Sequence, residues 1–242
     1  MKKVFLTMLV VCMAMHAAAV ELPKQGFGLQ VGWAQPILRL NSPTSKDTLS
    51  NTVKLKGFKI GVVYDASFAA GFGSSIGINY TFGASNGGWN KENASQILPY
   101  PQSRLFITYH QVELFVDWQY KFEVAKETYL MLYTGPTLQC GVGFTMRKDT
   151  RALDPSTLEE YVIPGDRYSA YNTDQQDQSL KRFNVTWGVG AGFQYKRYFL
   201  RGGYDFGLIN PYKSRDFTTG NHTRGRYDQW NIKLGVYLWY QD

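Results

Sequence analysis

Apolar and polar positions alternate along most of this chain in eight separate stretches. A period of two sends successive side chains to opposite faces of a strand, so each stretch predicts a β-strand with one greasy and one wet face. In the first, Phe27, Leu29, Val31 and Trp33 oppose Gly28, Gln30, Gly32 and Ala34. The second covers about Val53 to Tyr64, with Lys59 in its polar phase, and the third sets Ile76, Ile78, Tyr80 and Phe82 against Ser75, Gly77, Asn79 and Thr81. The fourth is the clearest: Val112, Leu114, Val116, Trp118, Tyr120 and Phe122 alternate with Gln111, Glu113, Phe115, Asp117, Gln119 and Lys121. The fifth opens with Tyr129, Met131 and Tyr133 in the apolar phase and resumes with Leu138, Cys140, Val142, Phe144 and Met146. That change of phase at Gly135-Pro136 predicts a one-residue bulge. The sixth runs from Asn184 to Tyr195 and the seventh from Leu200 to Leu208. The eighth places Trp230, Ile232, Leu234, Val236, Leu238 and Tyr240 opposite Asn231, Lys233, Gly235, Tyr237 and Trp239.

The connections alternate as well. Short ones fall near Asp65 to Gly71, Glu123 to Glu127 and Lys196-Arg197; long ones fall near Asn41 to Thr52, Ala84 to Arg104, Arg147 to Arg182 and Pro211 to Asp228. The pattern predicts an all-β protein, an eight-stranded antiparallel up-and-down transmembrane β-barrel with short periplasmic turns and long extracellular loops. The third long loop holds Pro155 and Pro164 and either folds over the barrel mouth or stays mobile.

A soluble barrel such as a lipocalin shows the same alternation with its apolar phase pointing inward. Side-chain volume separates the two cases. An eight-stranded barrel has an interior just wide enough for side chains to fill. The apolar phase carries Trp33, Tyr80, Phe82, Trp118, Tyr120, Phe122, Trp187, Phe193, Tyr195 and Trp230, too much bulk for that lumen. The opposite phase is largely Gly, Ser, Thr, Asn and Gln, and it also holds Lys59, Glu113, Asp117, Lys121, Arg201, Asp205 and Lys233. Facing lipid near the midplane, a Lys or Arg would cost about 2–4 kcal/mol. Facing one another, these groups form a lumenal ion-pair network. Aromatic residues gather near the ends of the apolar faces, at Tyr64, Phe82, Trp118 to Phe122, Tyr195 and Tyr240, where headgroup-level girdles sit.

The N-terminus adds an export signal. Met1-Lys2-Lys3, an apolar run from Val4 to Met15 and then His16-Ala17-Ala18-Ala19 predict a signal peptide over residues 1–19, cleaved after Ala19. The apolar run is shorter than the roughly 20 residues of a membrane-spanning helix. Residues 20–242 then form the barrel domain, and the formal charge falls from +7 to +5. Only Cys140 remains, so no intramolecular disulfide is available.

Three motifs carry a family resemblance. They are Tyr133-Thr134-Gly135-Pro136, the run Gly188-Val189-Gly190-Ala191-Gly192-Phe193-Gln194-Tyr195, and Leu200-Arg201-Gly202-Gly203-Tyr204-Asp205-Phe206-Gly207-Leu208-Ile209-Asn210. With them the chain resembles the PorT-like, or porin-family, outer-membrane β-barrel proteins common in Bacteroidetes, over nearly its whole mature length. One departure concerns subfamily placement: that family often has Glu-Leu-Pro-Leu in the fourth strand, and here Glu113-Leu114-Phe115-Val116 has no proline. The resemblance implies location in the outer membrane of a Gram-negative bacterium, and some members support type IX secretion. The last strand also looks like an outer-membrane assembly signal, with Lys233, Gly235, Leu238 and Tyr240 at the expected spacing, which implies the barrel-assembly machinery as a partner.

Little else in the sequence points to chemistry. Ser214, Asp216 and His222 share a loop, but their spacing predicts no nucleophile, base and orienter, so no catalytic residues are assigned and the lipid-modifying enzymes among small barrels are a remote alternative. Two mature histidines, His110 and His222, and one cysteine give a metal site little to be built from, and no cofactor is expected. The glycines from Gly188 to Gly192 lie inside an alternating strand with no helix following, which excludes a dinucleotide loop. Lys54, Lys56, Lys213, Arg215, Arg224 and Arg226 form a candidate basic outer rim, suited to lipopolysaccharide phosphates. Nucleic acid is not an expected partner. The expectation is therefore a non-enzymatic barrel that acts as a structural or binding element, or narrow conduit, of the outer membrane, with an accessory role in secretion as the alternative.

Overall fold

Burial follows the alternation strand by strand in the structure, a computed structural model describing residues 25–41, 52–69, 71–86, 90–91, 102–154, 156–157, 159–171, 180–212 and 224–241. The segment read as a signal peptide, residues 1–19, and Lys213, Arg215, Ser214, Asp216 and His222 lie outside the described residues. The elements are β1 (Gln25–Asn41), β2 (Thr52–Lys54), β3 (Lys56–Ala69), β4 (Phe72–Asn86), β5 (Asn90–Lys91), β6 (Gln102–Ala125), β7 (Thr128–Leu153), β8 (Glu160–Ile163), β9 (Arg167–Ser169), β10 (Phe183–Tyr195), β11 (Tyr198–Gly207) and β12 (Arg224–Gln241).

Eight of these close a ring in the order β1, β3, β4, β6, β7, β10, β11, β12 and back to β1, with every neighbouring pair antiparallel. The seam between first and last strands runs from Gln25 opposite Gln241 to Asn41 opposite Arg224. Closure removes both sheet edges, which is what allows a sheet to cross lipid without unpaired backbone groups. At one end the turns are tight: Lys126-Glu127 joins β6 to β7 and Lys196-Arg197 joins β10 to β11. Glu127 and Lys196 take positive φ, 58° and 51°, to make them. At the other end β6 and β7 run on as a ribbon of 24 and 26 residues. A tilted strand needs only about 9–11 residues to cross hydrocarbon. The ribbon therefore projects beyond the membrane, where β8 and β9 fold back onto β7.

The greasy phase faces outward. Trp33, Phe58, Ile78, Phe82, Trp118, Phe193 and Trp230 are all exposed, whereas Gln30, Lys59, Asn79, Glu113, Thr186 and Arg201 are buried. The structure corrects several expectations. β3 continues to Ala69, so Asp65 belongs to a strand and not to a turn. No slip occurs at Gly135-Pro136: Gly135 and Pro136 pair continuously with Gly188 and Trp187, and Tyr129, Met131 and Tyr133 point into the lumen while Leu130 and Leu132 face out. The real irregularity in β7 lies at Val142, where the register jumps between the His110–Gly143 and Gln111–Gly141 pairs and turns Phe144 inward. In β12 a shift opposite Phe27 and Gly28 leaves both Leu238 and Trp239 exposed. Tyr240 then turns back to stack on Tyr237 at 5.3 Å, so it is not part of an outer girdle.

Three rings enter the lumen where an inward glycine leaves room. A Cβ at Gly77 would collide with Phe115, one at Gly235 with Phe199, and one at Gly190 with Tyr133.

Candidate functional site: a charged lumen beneath an apolar lid

The lumen is layered. At the short-turn level the hub is Asp65 of β3. Arg201 of β11 reaches across the ring and donates to its two carboxylate oxygens at 3.0 and 2.7 Å, and to Ser75 Oγ at 2.7 Å. Lys121 Nζ of β6 lies 3.3 Å from the same carboxylate and donates to Gln194 Oε1 at 3.1 Å. The Tyr237 hydroxyl of β12 donates to Asp65 as well. Every member is buried, so the charges are strong to one another and would be expensive alone. Around them pack Val63, Met131, Phe115 and Phe199.

One level up the hub is Glu113 of β6. Lys59 Nζ sits 2.5 Å from its Oε2, and Gln111, Gln229 and Thr81 donate to Oε1 at 3.0, 3.1 and 3.2 Å. Gln229 and Asn231 also donate to Asp205, at 3.4 and 2.9 Å. Lys233 lies over the rings of Phe115 and Tyr133, 4.8 and 6.0 Å from their centroids, a cation–π arrangement. It also attracts the buried Asp117.

All seven residues read from the sequence as a lumenal network are brought into this one lumen. Four cations and three anions do not balance, and Asp65 is the missing anion. Its signal was present: it shares the odd parity of Lys59, Gly61 and Val63. Gln229 and Tyr237 were missed as network members because neither type announces an ion-pair role.

Above the charges the lumen turns apolar. Leu38, Leu55, Ile107, Tyr109, Phe144 and Leu180 form part of one buried cluster. Loop three builds its cover: Ala170 N donates to Phe144 O at 2.9 Å, Leu180 N to Ala170 O at 2.7 Å, and Lys181 N to Pro211 O at 2.7 Å. Of the two expectations for this loop, the stretch at Ala170, Tyr171 and Leu180 folds over the mouth, while β8 and β9 stay on the projecting ribbon. The Tyr227 hydroxyl ties lid to charges by donating to Gln111 at 3.0 Å. Tyr109 Oη, Gln139 Nε2 and Asn184 Oδ1 find no hydrogen-bond partner among the described residues. All three residues border a cavity of about 30 Å³, the size and polarity that suit a bridging water.

At the long-loop rim two buried carboxylates each gather two arginines: Asp149 holds Arg104 and Arg147 at 3.4 and 3.0 Å, and Asp228 holds Arg39 and Arg226 at 3.1 and 2.8 Å. Of the candidate basic rim, Lys54, Lys56 and Arg226 are exposed, and Arg224 opens β12. Of the four residues read as an assembly signal, Lys233 and Gly235 face the lumen, Leu238 faces out and Tyr240 lies at the lumen's lower mouth, where its hydroxyl accepts from Gln194 at 2.7 Å. His110 contacts the Tyr80 hydroxyl through Nδ1 at 2.6 Å beside Phe82. No group of three or more metal-ligating side chains occurs among the described residues.

A closed ring of eight antiparallel strands, greasy outside and ionised within, is the construction of a membrane β-barrel. The family model described as the outer membrane protein beta-barrel domain matches residues 25–212, and the chain belongs to that family. It is an outer-membrane protein. Among solved structures it is similar to Ail, the attachment invasion locus protein of Yersinia pestis, at 10% identity and TM-score 0.40, covering 89% of this chain and 99% of that one. It is also similar to Neisserial surface protein A, at 13% identity and TM-score 0.38 over 88% and 97%. The N-terminal β-barrel domain of Pseudomonas aeruginosa OprF matches at 9% identity and TM-score 0.29 over 88% and 99%. No curated protein matches the chain.

Proposed function

We infer that the protein is a closed, non-enzymatic barrel serving as a structural and binding element of the outer membrane. The observation that carries this reading is the filled lumen: two layers of ion pairs and hydrogen bonds lie under an apolar lid that loop three helps to build. Past the charged rim, an ion entering from the long-loop side meets the apolar cluster of Leu38, Tyr109 and Phe144, and below it Lys59 is paired with Glu113 and both Arg201 and Lys121 with Asp65. Residues 1–19 act as the export signal and 20–242 as the mature barrel; the barrel-assembly machinery is its partner during insertion and lipopolysaccharide its partner afterwards. In planar bilayers the protein produces no stepwise single-channel currents; stepwise currents overturn the closed reading and restore the narrow conduit.

The PorT-like placement rests on the three strand motifs, and with it the alternative of an accessory in type IX secretion. Deleting the gene and assaying export of secreted proteins decides that alternative, since unchanged export removes it.

A further inference from the structure

The outward wall is uneven. On the side of β3, β4 and β6 the outward positions carry large side chains, among them Phe58, Ile60, Ile78, Tyr80, Val112 and Leu114. On the other side Ala191 of β10 pairs with Gly202 of β11, which pairs with Ile232 of β12. Across two adjacent strands one row of the lipid-facing surface therefore holds nothing larger than a methyl group. A recess of about 970 Å³ opens there, walled by Trp33, Ile232, Trp230 and Tyr204. The rings of Tyr204 and Trp230, packed edge to face with centroids 4.6 Å apart, hold its upper wall. Packing does not demand the glycine, because a Cβ at Gly202 would meet only the Asn231 carbonyl oxygen at 3.9 Å.

Towards the long-loop end the recess becomes polar. Gln35, Arg39 and Tyr204 line it there. Arg39 and Arg226 face each other in register across the β1–β12 seam. Each turns its Nε to the buried Asp228, at 3.1 and 2.9 Å, and each stays about half exposed, 46% and 47%. Two guanidinium groups on one carboxylate leave an excess positive charge whose geometry is fixed from beneath. Arg39 lies six residues beyond Trp33, about 20 Å along the strand. With strands tilted at about 40°, that span matches the roughly 15 Å thickness of one hydrocarbon leaflet.

We propose that this recess binds one anionic lipid of the outer leaflet, with a phosphate on the Arg39–Arg226 pair and one acyl chain lying over Ala191 and Gly202. The gradient from bare backbone through aromatic rings and an amide to paired guanidinium groups follows a phospholipid or lipid A molecule from tail to head. Arginine forks match phosphate oxygens in charge and geometry. An acyl chain seated in the recess gains close contact with its ring-lined walls. The proposal rests on the outward face being the lipid face, and it names one lipid site on it.

The test uses the mature protein refolded into nanodiscs of phosphatidylcholine doped with lipid A, released and weighed by native mass spectrometry for retained lipid. One lipid A molecule stays with the parent barrel. Gly202→Leu, which fills the floor, and Arg39→Gln, which removes one guanidinium, each lower the retained fraction about fivefold or more. Val112→Leu on the opposite wall leaves it unchanged. Ala191→Leu repeats the filling should Gly202→Leu fail to give the folded, heat-modifiable band. Retention that ignores both kinds of substitution, or none in the parent barrel, overturns the site, and retention of phosphatidylcholine in place of lipid A overturns its anionic character. A parent protein with no heat-modifiable band would instead remove the barrel reading itself.

Discussion

The two ends of the lumen are filled by different physics. Near the short turns Asp65, Arg201, Lys121 and Tyr237 lock together by charge and hydrogen bonds. Beneath the long loops Leu38, Leu55, Ile107 and Phe144 pack as an ordinary hydrophobic core. The lower layer is held by strands alone, on backbones that the ladder already fixes. The upper layer needs chain returning from the loops, at Ala170, Leu180 and Tyr212. Directional, all-or-none interactions thus sit where the scaffold is rigid, and forgiving dispersion contacts sit where it is built from long connections.

Substitutions should expose that contrast. Asp65→Ala strands a buried guanidinium and a buried ammonium at once, and should cost about 3–5 kcal/mol in urea unfolding followed by the heat-modifiable band. Leu55→Ala in the lid leaves a cavity but no charge, and should cost about 2–3 kcal/mol. It should also make the segment from Arg147 to Tyr171 more open to protease, which Asp65→Ala should not. Glu113→Gln keeps hydrogen-bonding capacity towards Thr81 while unpairing Lys59, with about 2 kcal/mol expected in the same assay. The smallest effect serves as a control outside both layers: Lys196→Gly relaxes a positive φ in a tight turn and should stabilise the barrel by up to about 1 kcal/mol. If Asp65→Ala proved milder than Leu55→Ala, the charged layer would not be the dry network described.

Much of this was legible in the sequence, and the failures are instructive. Strand number, the asymmetry of the connections and the outward face follow from period-two patterning, because lipid and lumen demand opposite chemistry on adjacent residues. The pattern misled where both phases are apolar. From Tyr129 to Tyr133 rings and aliphatics occupy both faces, and bulk favoured sending the rings outward. In fact glycines on facing strands give those rings a place inside, as Gly190 and Gly203 do for Tyr133. Bulges were equally hidden: Gly-Pro looks like a break, yet Pro136 sits in an unbroken register while Val142 takes the extra position. Asp65 was lost because a charged residue near Gly71 reads as a turn until the strand's true length is known. The lipid recess was invisible, since Ala191 and Gly202 stand on different strands of a hairpin and only the β10–β11 register makes them one surface.

The Asp65 hub has a bearing on how the molecule comes together. Its partners stand on β6, β11 and β12, and the contact with Tyr237 spans 172 positions of sequence. An open sheet with β12 not yet zipped to β1 cannot complete that set, so its ionised groups remain in water until the seam shuts. Interactions formed only after the rate-limiting step slow escape from the finished state without hastening arrival. The hub is a latch: it is complete only in the closed ring, and it must break before that ring can reopen.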